Sequence, residues 1–230
     1  MYKRQHLHFV DKYGSFTMDK PENVSYLYFP LASETGLKSS LTPNLGGDAK
    51  IDQETFLLEP VSAENLHSNR GVRNFWLVDE DGQAFSVSGA SARQEADRFT
   101  PAQDDSRLTA GLMWQTVERT AQDLGLDTEV TAFCPRQDNV EILCITVRNQ
   151  QEQPRWLTPI AAVPLYGRSA DNIRDHRNVT SMLHRIWTTE NGVMVRPTMS
   201  FDERGHRPNH KVYYVEGLSL IHISEPTRLQ

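Results

Sequence analysis

The chain has 230 residues, 24 of them basic and 30 acidic for a net charge of -6, and its mean hydropathy is -0.55. This acidity argues against a nucleic-acid backbone as partner, since such sites need clustered Lys and Arg, and no interior stretch approaches the roughly 18 consecutive apolar residues of a membrane span. Four Trp, nine Phe and seven Tyr are enough for a packed core in one large domain.

In chain order, the first segment is not expected to be native. Tyr2 to Gln5 matches the translation of TAT AAG AGA CAG, the inner edge of a transposase-type sequencing adapter. Residues 218–228 match the opposite strand of the same adapter without a mismatch. Residues 1–5 and 218–230 are therefore expected to be adapter-derived, with the domain running over 6–217. Setting aside Lys3, Arg4, Arg228 and Glu225 leaves 21 basic against 29 acidic residues, a net charge of -8.

Residues 25–31 alternate, with Leu27, Phe29 and Leu31 on one face, which is the period of a half-buried strand. Short strands are expected over 37–43, 56–58 and 74–78. The last is followed by a turn at 79–82, where Gly82 accepts positive φ, and by a strand over 84–88. One or two helical turns are expected over 90–97 and 121–124. Strands over 112–119, 126–134, 140–148 and 155–163 come next, and 182–188, 193–199 and 211–215 complete the set. Many short strands at such intervals predict an all-β, mostly antiparallel sandwich or barrel with little helix. Gly46-Gly47-Asp48 lacks the strand, helix and Lys of a phosphate-cradling loop and reads as a plain turn.

Cys134 and Cys144 flank a turn. If 134 pairs near 141, then 144 pairs near 131, and the two sulfurs point to opposite faces of the hairpin. No disulfide is expected, and two free thiols suit a cytoplasmic protein. Trp76, Trp114, Trp156 and Trp187 lie in strand-like runs, where core or interdomain packing is the expected use. The sequons at 23–25 and 178–180 read as chance matches. Asp202, His206 and His210 have a spacing that invites a metal reading. Gly205 and Pro208 preclude a zinc helix there, so an exposed loop without metal is expected.

The densest polar stretch is 166–178. Two uses are open for Arg168, Arg174, Asp175, His176 and Arg177. They bind substrate, since planar polar groups in a long loop suit sugar hydroxyls, or they form an ion-pair network that holds the loop to the sheet or to a partner subunit.

The order of several pieces along the chain resembles the amino-terminal supersandwich of glycoside hydrolase family 94, the cellobiose phosphorylase group. They are Tyr13-Gly14-Ser15-Phe16, Leu112-Met113-Trp114-Gln115-Thr116-Val117, the runs 126–133 and 140–149, and Arg155-Trp156-Leu157. Within the family, Phe29-Pro30-Leu31, Leu41-Thr42-Pro43, Gly46-Gly47-Asp48, 56–60, 65–67 and 73–76 are most similar to the 1,2-β-oligoglucan phosphorylases.

The resemblance implies a large galactose-mutarotase-like β-sandwich. It implies a parent enzyme that cleaves β-glucosidic bonds of β-linked glucooligosaccharides with inorganic phosphate, inverting the anomeric carbon to give α-glucose 1-phosphate. It further implies no cofactor, phosphate as co-substrate, a homodimer, and a catalytic Asp in an (α/α)6 barrel that is missing from this chain. No catalytic residue is then expected here, and the five loop residues are expected on the acceptor side of the cleft. Such a chain should leave apolar surface uncovered where barrel and second subunit pack. The alternative is a freestanding carbohydrate-binding sandwich, which should display a flat or grooved row of exposed aromatics.

Overall fold

A computed structural model describes residues 7–24, 27–62, 72–173, 177–202 and 205–218. The described elements in chain order are β1 (Leu7–Phe9), β2 (Phe16–Asp19), β3 (Phe29–Ala32), β4 (Lys38–Leu41), β5 (Ala49–Asp52), β6 (Thr55–Phe56), β7 (Asn74–Asp79), β8 (Ala84–Ser86) and α1 (Ala92–Asp97). There follow β9 (Asp105–Gly111), β10 (Trp114–Ala121), β11 (Leu126–Phe133), β12 (Ile142–Asn149), β13 (Leu157–Ala162), α2 (Arg177–Met182), β14 (His184–Thr188), β15 (Gly192–Pro197), β16 (Met199–Asp202), β17 (Gly205–Pro208) and β18 (Tyr213–Glu216). Every pairing among these strands is antiparallel. The chain is an all-β sandwich, as its periodicity predicts.

The principal sheet has six strands in the order β1-β2-β9-β10-β11-β12. Its inner face follows strict period two, with Leu108 and Ala110, Gln115 and Val117, and Leu126, Val130 and Ala132 all buried. Polar pairs occupy the other face, among them Thr116 with Thr131 and Thr120 with Asp127. Two smaller sheets cover the inner face: β3-β4-β5-β6 supplies Leu31 and Leu41, and β13-β7-β8 supplies Leu77 and Phe85. Met18 and Phe29 close a second cluster with Leu108, Ala110 and Val117. A second three-stranded sheet, β14-β15-β18, and the hairpin β16-β17 follow the sandwich in sequence.

A buried ion pair joins the layers. Arg73 precedes β7 and Glu141 precedes β12, and their side chains are 2% and 7% exposed. The Arg73 Nε pairs with Glu141 Oε1, and its Nη2 donates to Glu141 Oε2 at 3.0 Å and to the Ser39 hydroxyl at 2.8 Å. Nη1 donates to the carbonyl of Gly46 at 3.1 Å, and Nη2 also to that of Asp48 at 3.1 Å. The turn between β4 and β5 presents those carbonyls because Gly47 takes φ +107; a Cβ there would stand 2.0 Å from the Ser40 carbonyl oxygen. Gly46-Gly47-Asp48 is thus the turn its sequence predicts, and its backbone oxygens serve a guanidinium.

Several expectations hold in detail. The Asp79–Gln83 turn forms with Gly82 at φ +78 and joins β7 to β8. Helix α1 carries a capping box in which the Ser91 side chain accepts from the Gln94 N–H and the Gln94 side chain accepts from the Ser91 N–H. Thr131 pairs with Cys144 and Phe133 with Ile142, so the two cysteines face opposite ways and both are free. Cys134 faces the core, where burial first and the Glu141 charge second push its thiol up to about 11.

Others need correction. Strands β1, β2, β5 and β9 stand where none was expected. Met199–Asp202 and Gly205–Pro208 pair as antiparallel strands β16 and β17 where an exposed loop was expected. None of the four Trp is buried: Trp76 and Trp114 are half-buried, Trp156 is 77% exposed and Trp187 41%. Trp76 shares its sheet with core residue Leu77 but points to the opposite face, and Trp156 lies just before β13 rather than in a strand.

If the pair carries the layer contact, Glu141→Gln will cost about 3–5 kcal/mol, because it leaves the Arg73 charge buried without its counter-charge. The double replacement Arg73→Met with Glu141→Leu should recover most of that loss. Urea unfolding at pH 7 measures both, and a cost for Glu141→Gln below about 1 kcal/mol would remove the pair from this role.

Candidate functional site

The polar stretch singled out in the sequence begins as an anchored segment. Tyr166 N–H donates to the Leu57 carbonyl at 2.8 Å, Phe56 N–H to the Arg168 carbonyl at 3.0 Å, and Ala170 N–H to the Gln53 carbonyl at 2.9 Å. These bonds lay 166–170 antiparallel along β6 and its preceding turn. The Arg168 guanidinium lies 4.1 Å over the Tyr166 ring, and the Tyr166 hydroxyl donates to the Ser169 carbonyl at 3.1 Å. A 3-10 turn over Ala170–Ile173 follows, in which Asn172 is 1% exposed and accepts from the Ser169 hydroxyl.

Arg168 is therefore 7% exposed and turned into the protein. Arg174, Asp175 and His176 lie outside the described residues, as does the side chain of Arg177, whose backbone opens α2. The expected strand start at Met182 is instead the end of that helix. Val179 and Met182, three residues apart, are both exposed, so no apolar stripe facing the core announces α2 in the sequence.

The anchored segment supports the β14-β15-β18 sheet from one side. Gly167 has φ +61, and a Cβ built there would meet the Tyr213 ring at 3.4 Å and His184 Cε1 at 3.7 Å. His184, Val195 and Tyr213 share the sheet face that meets it. Two buried polar atoms here lack a hydrogen-bond partner, His184 Nε2 and the Tyr213 hydroxyl; Thr55 is close to the latter but not in bonding geometry. Burial, and then the Arg168 charge, hold His184 below the usual imidazole range. Burial, and then the Asp52 charge, push the Tyr213 phenol up to about 12, with Thr55 acting in the opposite sense.

A second polar cluster escaped the sequence reading. On the inner face of the principal sheet Arg119 is 4% exposed, with Nη1 3.6 Å from Glu22 Oε1 and 3.5 Å from Asp104 Oδ2. Glu22 accepts from the Ser106 hydroxyl and from Gln103 Nε2, and Asp104 from Gln94 Nε2. Glu22, Gln94, Gln103, Asp104 and Arg119 line a small polar pocket with Asn44, Gly89 and Arg98. Gly89 takes φ +74, a conformation that favours glycine, and a Cβ there would stand 2.4 Å from Arg119 Nη2. Its sequence signal was an arginine at the inward-facing position of an otherwise regular strand.

Among the described residues no group of His, Cys, Asp and Glu could hold a metal ion, and no helix is long and apolar enough to cross a membrane.

The Tyr213 shift has a measurable consequence. Its folded pKa lies above the ordinary 10.0, so the native chain keeps a proton that the unfolded chain releases. The associated stability is complete below pH 10 and is lost as pH rises toward 12. The wild-type chain should therefore lose stability relative to Tyr213→Phe across that window, as read by urea unfolding. Parallel loss in both proteins would place the proton elsewhere.

Comparison with known families follows this geometry. A profile described as the glycosyl hydrolase 94 supersandwich domain matches residues 49–218, from β5 to the end of the described chain. Comparison with curated proteins gives no match. With most of its length covered by that profile and an all-β antiparallel fold beneath it, this chain belongs to the glycosyl hydrolase 94 supersandwich domain family.

Proposed function

We propose that this chain is the non-catalytic β-sandwich part of an inverting glycoside phosphorylase. The parent enzyme cleaves β-glucosidic bonds of β-glucooligosaccharides with inorganic phosphate and releases α-glucose 1-phosphate. Of the β-linked substrates, 1,2-β-oligoglucans are the first to test. The observation that carries this reading is the family profile over 49–218. The described residues hold two α-helices of six residues each, so the helical barrel that bears the catalytic acid is sought outside them. The chemistry needs no cofactor, because phosphate already carries the negative charge that a base would otherwise generate on water.

The surface supports an interdomain role for the sandwich. Strand β13 is apolar over Pro159–Ala162, and all four of those residues are exposed. Trp156 and Ile160 are 77% and 46% exposed on the same stretch. An edge strand this apolar suits a covered position against a barrel or a second subunit. In this reading the parent is a cytoplasmic homodimer. Arg174, Asp175, His176 and Arg177 contribute binding groups to the acceptor side of its cleft in this reading, while Arg168 is buried in the anchored segment.

The test is to recover the source gene beyond residue 217 and assay its product. A helix-rich barrel and phosphate-dependent release of glucose 1-phosphate from β-1,2-glucooligosaccharides are expected. Alanine at Arg174 or His176 of that enzyme should raise KM for the acceptor several-fold. Hydrolysis without phosphate, or no turnover of any β-glucoside, would reject the reading.

A further inference from the structure

The β14-β15-β18 sheet has an outer face that faces away from the anchored segment. Its register places Trp187 opposite Met194 and Met194 opposite Tyr214, so three side chains form one row across three strands. Trp187 and Tyr214 are 41% and 42% exposed. Two interstrand steps separate them, roughly 9–10 Å. On one side of this row Arg185 stands directly opposite Arg196, both exposed. Among the described residues neither arginine has an ion-pair or hydrogen-bond partner, although like charges directly opposed across a ladder are destabilising. On the other side Gly192 pairs with Glu216, and a Cβ at Gly192 would stand 2.0 Å from the Val215 carbonyl oxygen. That position stays without a side chain.

We infer that this face is a carbohydrate-binding platform for a neutral oligosaccharide of at least two pyranose units. The inference deepens the proposed function and rests on it for the sugar class. The physical case is local. Aromatic rings in a flat, half-exposed row offer faces to the C–H surfaces of pyranoses, and their separation spans about a disaccharide rather than one ring. The Arg185 and Arg196 guanidiniums supply planar, forked donors to ring hydroxyls, and Glu216 an acceptor on the other side of the row. Both arginines have their donors free, so binding breaks no existing pair. A protein partner is the less fitting occupant: the row is one residue deep and charge borders it on both sides, whereas a protein interface needs a broad core depleted of charge.

The test is isothermal titration of the full chain with β-1,2-glucotriose, cellotriose and glucose. Millimolar binding of at least one trisaccharide is expected, with glucose weaker because it covers half the row. Trp187→Ala and Tyr214→Ala should each weaken trisaccharide binding about tenfold with unchanged thermal unfolding, since both side chains are at the surface. Arg185→Gln with Arg196→Gln should weaken it while stabilising the fold by relieving their repulsion. No binding of any trisaccharide, or binding indifferent to Trp187→Ala, overturns the platform. So does a concentration-dependent dimer that Trp187→Ala dissolves in the absence of sugar. These outcomes leave phosphorolysis by the parent enzyme untouched, and failure of phosphorolysis leaves the titration standing.

Discussion

The Arg73–Glu141 pair is the contact on which the rest of the sandwich depends. Burying two charges costs several kcal/mol each, and the cost is offset only where every donor and lone pair is met. Here all three guanidinium nitrogens are used, on Glu141, Ser39 and the carbonyls of one turn. Three parts of the chain far apart in sequence must therefore be in place together: the β4–β5 turn, the start of β7 and the start of β12. An apolar contact would tolerate sliding between layers. This pair fixes their register, because a shift of one residue in any of the three leaves a buried charge without a partner.

Burial falls steeply on one flank of the sandwich. On β11 the inward residues Leu126, Thr128, Val130 and Ala132 are at most 3% exposed. Their neighbours on β12, Leu143 and Ile145, are only half-buried, and Val147 is 36% exposed. On β13, which continues the opposite layer, Leu157 is half-buried and Pro159 and Ala161 are exposed. Both layers thus present apolar inward positions to solvent along the same side. This gradient is the pattern expected of a sandwich that packs against further polypeptide, and it agrees with the interdomain role given to this family member.

The fold was legible where one face is apolar and the other polar. Strands β3, β7 and β12 repeat Leu, Ile, Val or Phe at period two, β10 and β11 alternate small or apolar inward residues such as Val and Ala with Thr and Glu outward, and the Asp79–Gly82 turn carries its own chemistry. Strand β9 was not legible because its inward row is Ser106, Leu108 and Ala110, only one of them large and apolar. Strands β1, β2 and β5 have three or four residues each, too few to show a period. Buried charge misled in a different way. The partners that bury Arg73, Glu22, Glu141 and Arg119 lie 68 to 97 positions away in the chain, and no local pattern encodes such distances. The platform was missed because the four Trp were weighed as a set, while the row needs one Trp, a Met and a Tyr whose register only strand pairing reveals.

Period two links the anchored segment to the platform. On β14, β15 and β18 inward and outward residues are chain neighbours: His184 beside Arg185, Val195 beside Arg196, and Tyr213 beside Tyr214. Of the inward members, Tyr213 and His184 lie against Gly167, whose segment the bonds of 166–170 hold on β6. A surface row built on a free three-stranded sheet would twist and fray, and any ligand would have to bear the cost of ordering it. Here the cost is met during folding, because Tyr213 and Val195 are buried whether or not a ligand is present. The buried Arg168 then matters for binding without touching a sugar: stacked on Tyr166 and bridged to Phe56, it holds the seat that keeps the outer row flat.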